Sequence, residues 1–186
     1  MNRKLRDQLI KVLFIAVIVV MRIDAFAAEE KKLDSLLVYG EGFIFGVKEP
    51  PGWTADTSNA ANVHANILFY KPGESFQTAK ALIFVRVNKK SDEYLEKDLE
   101  WDMEQYKKRY PNVQFKDIPV FHPKYKTYSK LFYIKETFYE YVTYINPGAG
   151  KPVTLSAAMN LQRNEASKEV LAAYQQVIQT LVVLKP

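Results

Sequence analysis

Any chemistry in this 186-residue chain must be done without cysteine and with two histidines, His64 and His122. A catalytic zinc site draws three protein ligands at recognisable spacing. The two histidines lie 58 residues apart, with no second ligand near either one. Thiol chemistry is excluded, and no G-x-S-x-G elbow offers a serine nucleophile. The nearest approach to a phosphate loop is "NPGAGKP", Asn146 to Pro152. A true one needs G-x-x-x-x-G-K-[ST] leading into a helix. Here Ile145 stands at the first glycine position and Pro152 at the Ser/Thr position, so a hairpin loop is expected. Paired carboxylates for glycoside hydrolysis are defined by separation in space, so they cannot be picked out by spacing. The expectation is a protein that is not an enzyme and carries no cofactor and no metal.

Charge is distributed unevenly. Residues 92–104 hold seven acids and one base, and residues 107–135 hold eight bases and one acid. Much of this matches a helix dipole, with Asp92 and Glu93 at the start and Lys107, Lys108 and Arg109 at the end. Glu104 can also pair with Lys108 at i, i+4. Left over are Lys124, Lys126 and Lys130, with His122, in the aromatic stretch "HPKYKTYSKLFY". Two readings compete there: a face for an anionic ligand, or a strand edge guarded by lysines.

Trp101 is the other outlier. Leu95, Leu99, Met103, Tyr106 and Tyr110 fall at helical spacing within an arc of about 80°. Trp101 projects about 160° from the centre of that arc. Tyr94 points almost alongside it, and Lys97 and Lys108 share the face. These four are the candidate partner-binding residues. The competing reading is that the N-terminal segment or the 111–130 stretch folds over the aromatics.

The elements that must position these groups are legible in the pattern. "GFIFGVK" (42–48), "ANILFYK" (65–71) and "KALIFVRV" (80–87) read as strands. The third is apolar with little alternation and should be covered on both faces. The "EPPGW" that ends the first reads as a fold corner in which Trp53 turns back onto the core. A helix is expected over 92–110, with Ser91 as N-cap and Pro111 as stop. Residues 113–146 hold two or three strands. "VTLSAAMN" alternates Val153, Leu155, Ala157 and Met159 against Thr154, Ser156, Ala158 and Asn160. A final helix is expected from Glu165 to Leu184, and "EEKKLDS" (29–35) as a frayed end. The order β-β-β-α-β-β-β-α predicts an α+β fold, a three-layer α/β/α sandwich around a mainly antiparallel sheet.

Residues 1–27 stand apart. Arg3, Lys4 and Arg6 precede the apolar "VLFIAVIVVM" (12–21), and "AFA" (25–27) offers small residues for cleavage. This layout predicts a secretory signal peptide, residues 1–27, ahead of one domain, residues 28–186. The apolar run is shorter than the roughly 20 residues of a membrane span, so no transmembrane segment is expected after cleavage. An uncleaved anchor is the alternative, and it would give a membrane-peripheral role. Residues 1–27 hold five of the 26 Lys/Arg and two of the 21 Asp/Glu, leaving 21 against 19, a net of +2. That balance argues against nucleic acid as a partner.

The strand "FIFGVK" with Pro51-Gly52-Trp53, the covered "ALIFVRV", the hairpin strand "VTLSAAMN" and the apolar "VLAAYQQVIQTLVVL" resemble the PsbP-like superfamily over about residues 38–186. That group includes the photosystem PsbP proteins, a eukaryotic Ran-binding nucleotide-release factor and bacterial exported proteins of the DcrB type. The resemblance implies a PsbP-like fold and a binding or assembly role. It transfers no metal or catalytic residue to this chain. The expectation for function is an exported, periplasmic or extracellular protein that binds an envelope protein or cell-surface component. The alternative is a small-ligand or anionic-glycan binder, or a weak hydrolase, with a cleft near residues 54–64 and 124–130.

Overall fold

The computed structural model describes residues 35–90, 95–148 and 150–185. Residues 1–27, where a signal peptide is expected, and Ser91 and Tyr94 lie outside the described residues. The chain from Leu36 onward forms one unit. Its strands are β1 (Leu36–Gly40), β2 (Phe43–Val47), β3 (Thr54–Asp56), β4 (Ile67–Tyr70), β5 (Ala81–Lys89), β6 (Gln114–Asp117), β7 (Lys126–Ile134), β8 (Phe138–Asn146), β9 (Val153–Gln162) and β10 (Val182–Lys185). Its helices are α1 (Leu95–Arg109) and α2 (Lys168–Thr180).

Seven strands form one sheet in the order β3-β4-β5-β9-β8-β7-β6, with every neighbouring pair antiparallel. β1, β2 and β10 form a small second sheet, also antiparallel. Among the described residues the fold is therefore α+β with two antiparallel sheets and two α-helices, as the pattern predicts in class. The second sheet was not foreseen. "GFIFGVK" does form a strand, but it pairs with β1 and β10 rather than joining the large sheet.

The period-2 alternation of each strand sends alternate residues to the two faces of the large sheet. Ile83 and Val85 of β5 and Leu155, Ala157 and Met159 of β9 bury on one face with Tyr174, Val177 and Ile178 of α2. Val38 of β1 and Phe45 and Val47 of β2 join the same core. On the other face Phe84, Phe132, Val142 and Ala158 pack with Leu95 and Leu99 of α1. Each fully buried aliphatic side chain contributes roughly 1.5–3 kcal/mol.

Local chemistry fixes the boundaries. Pro50 to Trp53 make a turn in which the Trp53 N–H donates to the Pro50 carbonyl at 3.1 Å. Gly52 takes φ +70° at the position of a type II turn that demands it. Trp53 is only 3% exposed and packs in the α2-side core, so the proline corner does turn the indole inward. Ser167 caps α2 by accepting from the Val170 N–H at 3.3 Å. The last element departs from expectation. The helix ends at Thr180, and Val182–Lys185 is a strand. The β-branched Thr180, Val182 and Val183 favour extended backbone. The Thr180 hydroxyl also accepts from the Lys48 N–H at 3.1 Å, tying the helix end to the end of β2.

Candidate binding site on the α1 face

Helix α1 lies across β7 and β8, and tyrosine hydroxyls join it to the sheet. Tyr128 donates to the Glu96 carboxylate, Tyr144 to Asp102, and Tyr106 of the helix to Glu140 of β8. Burial pushes the Asp102 and Glu140 carboxyls above their usual range, against the lowering effect of those hydrogen bonds. Burial together with the adjacent carboxylates pushes the Tyr106 and Tyr144 phenols well up. They therefore stay protonated and act as donors.

Because α1 covers β7 and β8, the β5–β9 half of this face is left open. Arg86 of β5 sits opposite Ser156 of β9, with Asn88 opposite Thr154 and Leu82 opposite Asn160. Two clefts result. One, of about 310 Å³, is lined by Trp101, Asp102, Tyr144, Arg86, Asn88 and Ser156 among others. The second, of about 530 Å³, is lined by residues including Arg86, Tyr106, Arg109, Glu140, Asn160 and Gln162. Arg86 borders both. Its guanidinium lies over the Phe84 ring at 4.6 Å and donates from Nη2 to the Val63 carbonyl at 3.0 Å.

Trp101 is 61% exposed on α1 and stands at the edge of the smaller cleft. Lys97 and Lys108 are exposed on the same helix. The lysines of the 124–130 stretch separate. Lys126 pairs with Glu96 at 3.3 Å and sits over the Tyr128 ring at 4.7 Å. Lys130 pairs with Asp117 at 2.6 Å, while the Lys124 side chain is exposed. His122 is buried rather than on the surface. Its Nε2–H donates to the Leu181 carbonyl at 2.8 Å, and its Nδ1 accepts the Lys124 and Tyr125 N–H groups, each at 3.0 Å. Both ring nitrogens are thus committed, and burial lowers the pKa further below 6.5. His122 anchors a loop and has no ring nitrogen left for a ligand.

Among the described residues the 54–64 and 124–130 segments line no common cleft. β3 and β7 occupy the first and sixth places of the sheet, about 24 Å apart at the usual strand spacing. The 54–64 segment reaches the α1 face through buried Ala60 and through Val63, whose carbonyl receives Arg86. "NPGAGKP" connects β8 to β9, with Gly148 and Gly150 at φ +100° and +82°. It is a hairpin loop.

Sequence reasoning passed over Arg86, Asp102 and Glu140. The signals were present. Val85 and Val87 alternate with Arg86 and Asn88, so the end of β5 is covered on one face only. Asp102 projects about 60° from the centre of the apolar arc of α1, and Glu140 lies on the α1-facing register of β8.

Among the described residues no group of three or more His, Cys, Asp or Glu could hold a metal ion, and no helix is long and apolar enough to cross a membrane. No protein-family model matches the chain, and no curated protein matches it. Among solved structures the chain is similar to cyanobacterial PsbP (CyanoP) from Synechocystis sp. PCC 6803, at 13% identity and a TM-score of 0.48, over 82% of this chain and 94% of that one. It is similar to the same degree to a mutant of the protein Mog1, at 13% identity and a TM-score of 0.48, over 82% of this chain and 97% of the other.

Proposed function

We propose that the chain is an exported, non-enzymatic binding protein of the cell envelope that engages a protein or surface component at the outer face of α1. The observation that carries this reading is Trp101, a large indole 61% exposed at the edge of a polar cleft. Aromatic side chains of this kind are enriched among binding hot spots. Cysteine is absent and His122 is spent on backbone contacts, so the usual nucleophiles and bases are scarce here. Export rests on the three-part layout of residues 1–27.

Replacing Tyr94 and Trp101 together with alanine should abolish capture of the envelope partner while leaving the thermal unfolding transition in place. Undiminished capture by the double variant sinks the site. Export has its own test. Mass spectrometry of the mature protein should find Ala28 as the first residue, and an intact N-terminus would contradict cleavage.

A further inference from the structure

The larger cleft has a charge pattern that the Trp101 surface does not use. Its lining includes three charged side chains: Arg86, Arg109 and Glu140. With Glu140 ionised, the cleft still carries one net positive charge. An arginine has five N–H donors. Among the described residues the Arg86 side chain spends one, on Val63, and its Nε is buried with no partner. Neither Asp102 nor Glu140 comes within ion-pair distance of it; both carboxylates accept tyrosine hydroxyls instead. The guanidinium is held in place by Phe84 and Val63, on a strand paired on both sides. It is thus an oriented cation with unspent N–H donors, and Asp102 and Glu140 lie close enough to feel its charge without pairing with it. Arg109, at the end of α1, supplies a second guanidinium, lying over the Tyr110 ring at 5.2 Å.

The remaining walls define the rest of a ligand. Phe76, Tyr110 and Phe138 offer ring surfaces, and Asn160 and Gln162 offer side-chain amides. About 530 Å³ lies within the roughly 300–1,000 Å³ of small-molecule sites. Guanidinium groups match carboxylates through paired N–H donors. One net positive charge on the lining matches a monoanion and is exceeded by a dianionic phosphate. We propose that this cleft binds a monoanionic organic carboxylate with a flat apolar body. The carboxylate meets Arg86 and Arg109, and the body lies against Phe76, Tyr110 and Phe138. This inference is independent of the Trp101 surface and holds or fails without it.

The test titrates 3-phenylpropionate, and separately its neutral amide, into the isotope-labelled full chain while amide shifts are followed. The carboxylate should bind saturably, with shifts centred on Arg86, Glu140 and Asn160. The amide should bind about tenfold more weakly. Arg109→Gln, at an exposed helix end, should cut carboxylate affinity several-fold and leave the amide unchanged. Arg86→Lys, checked for folding by its thermal melt, should do the same. Trp101→Ala should leave both probes unaffected, which separates this site from the partner surface. No saturable binding up to about 10 mM, equal binding of acid and amide, or shifts away from the cleft would overturn the proposal. So would an affinity indifferent to both arginine variants.

Discussion

The two faces of the seven-stranded sheet are built from the same strands and follow different rules. On the α2 face the packing is apolar and the polar groups are closed among themselves. The Tyr174 hydroxyl donates to the Ala157 carbonyl and accepts from the Thr143 hydroxyl, each at 2.9 Å, and the Thr143 hydroxyl lies 2.9 Å from that of Ser129. His122 is likewise bound to backbone. On the α1 face the half-buried polar groups include acids and an arginine, joined to tyrosines or left beside open clefts. A face with all its hydrogen-bonding groups spent holds a shape. A face with a guanidinium whose donors are largely unspent and an exposed indole keeps capacity for something else.

The largest test of that difference is a cavity in the closed face. Ile178→Ala, at a fully buried position of α2, should cost about 2–5 kcal/mol in urea unfolding. Next is Tyr144→Phe on the α1 face. It leaves the Asp102 carboxyl without its tyrosine donor and should cost about 1–3 kcal/mol. A cost near zero would mean that water replaces the hydroxyl and that the pair is not structural.

The faces should also respond to pH in opposite senses. Glu140 has its folded pKa raised above the ordinary 4.5. Its contribution is complete below that value and is lost as pH rises through the folded pKa. Glu140→Gln should remove that decline. His122 has its folded pKa lowered from 6.5. Its contribution is present above 6.5 and is lost as pH falls through the folded value. Stability measured across pH in the two single variants separates the windows, and the same slope in both would break the contrast. The smallest stability effect belongs to Trp101→Ala, expected within about 0.5 kcal/mol of wild type, because its indole is mostly in solvent.

The closed face was the more legible in the sequence. Val153, Leu155, Ala157 and Met159 alternate, Ala173, Tyr174, Val177 and Ile178 follow helical spacing, and Pro51-Gly52 dictates the corner that buries Trp53. Those are local rules of period and turn chemistry. The small sheet was not readable because β2 pairs with β10, more than 130 residues later, and period alone does not choose partners. The exposure of Trp101 could be computed from helical geometry. The clefts around Arg86 could not, because they depend on which strands α1 covers. The ion pairs of the basic stretch 124–130 were not readable for the same reason: Glu96 and Asp117, which engage Lys126 and Lys130, come from other elements.

The most direct test of the α1 face as the working surface is site-specific photocrosslinking in cells. A photoreactive residue at position 101 is compared with one at Gln179, exposed on α2. A discrete adduct from position 101 and none from 179 is the predicted result. An adduct from 179 alone, or none from either position, would contradict the assignment of the α1 face as the partner surface.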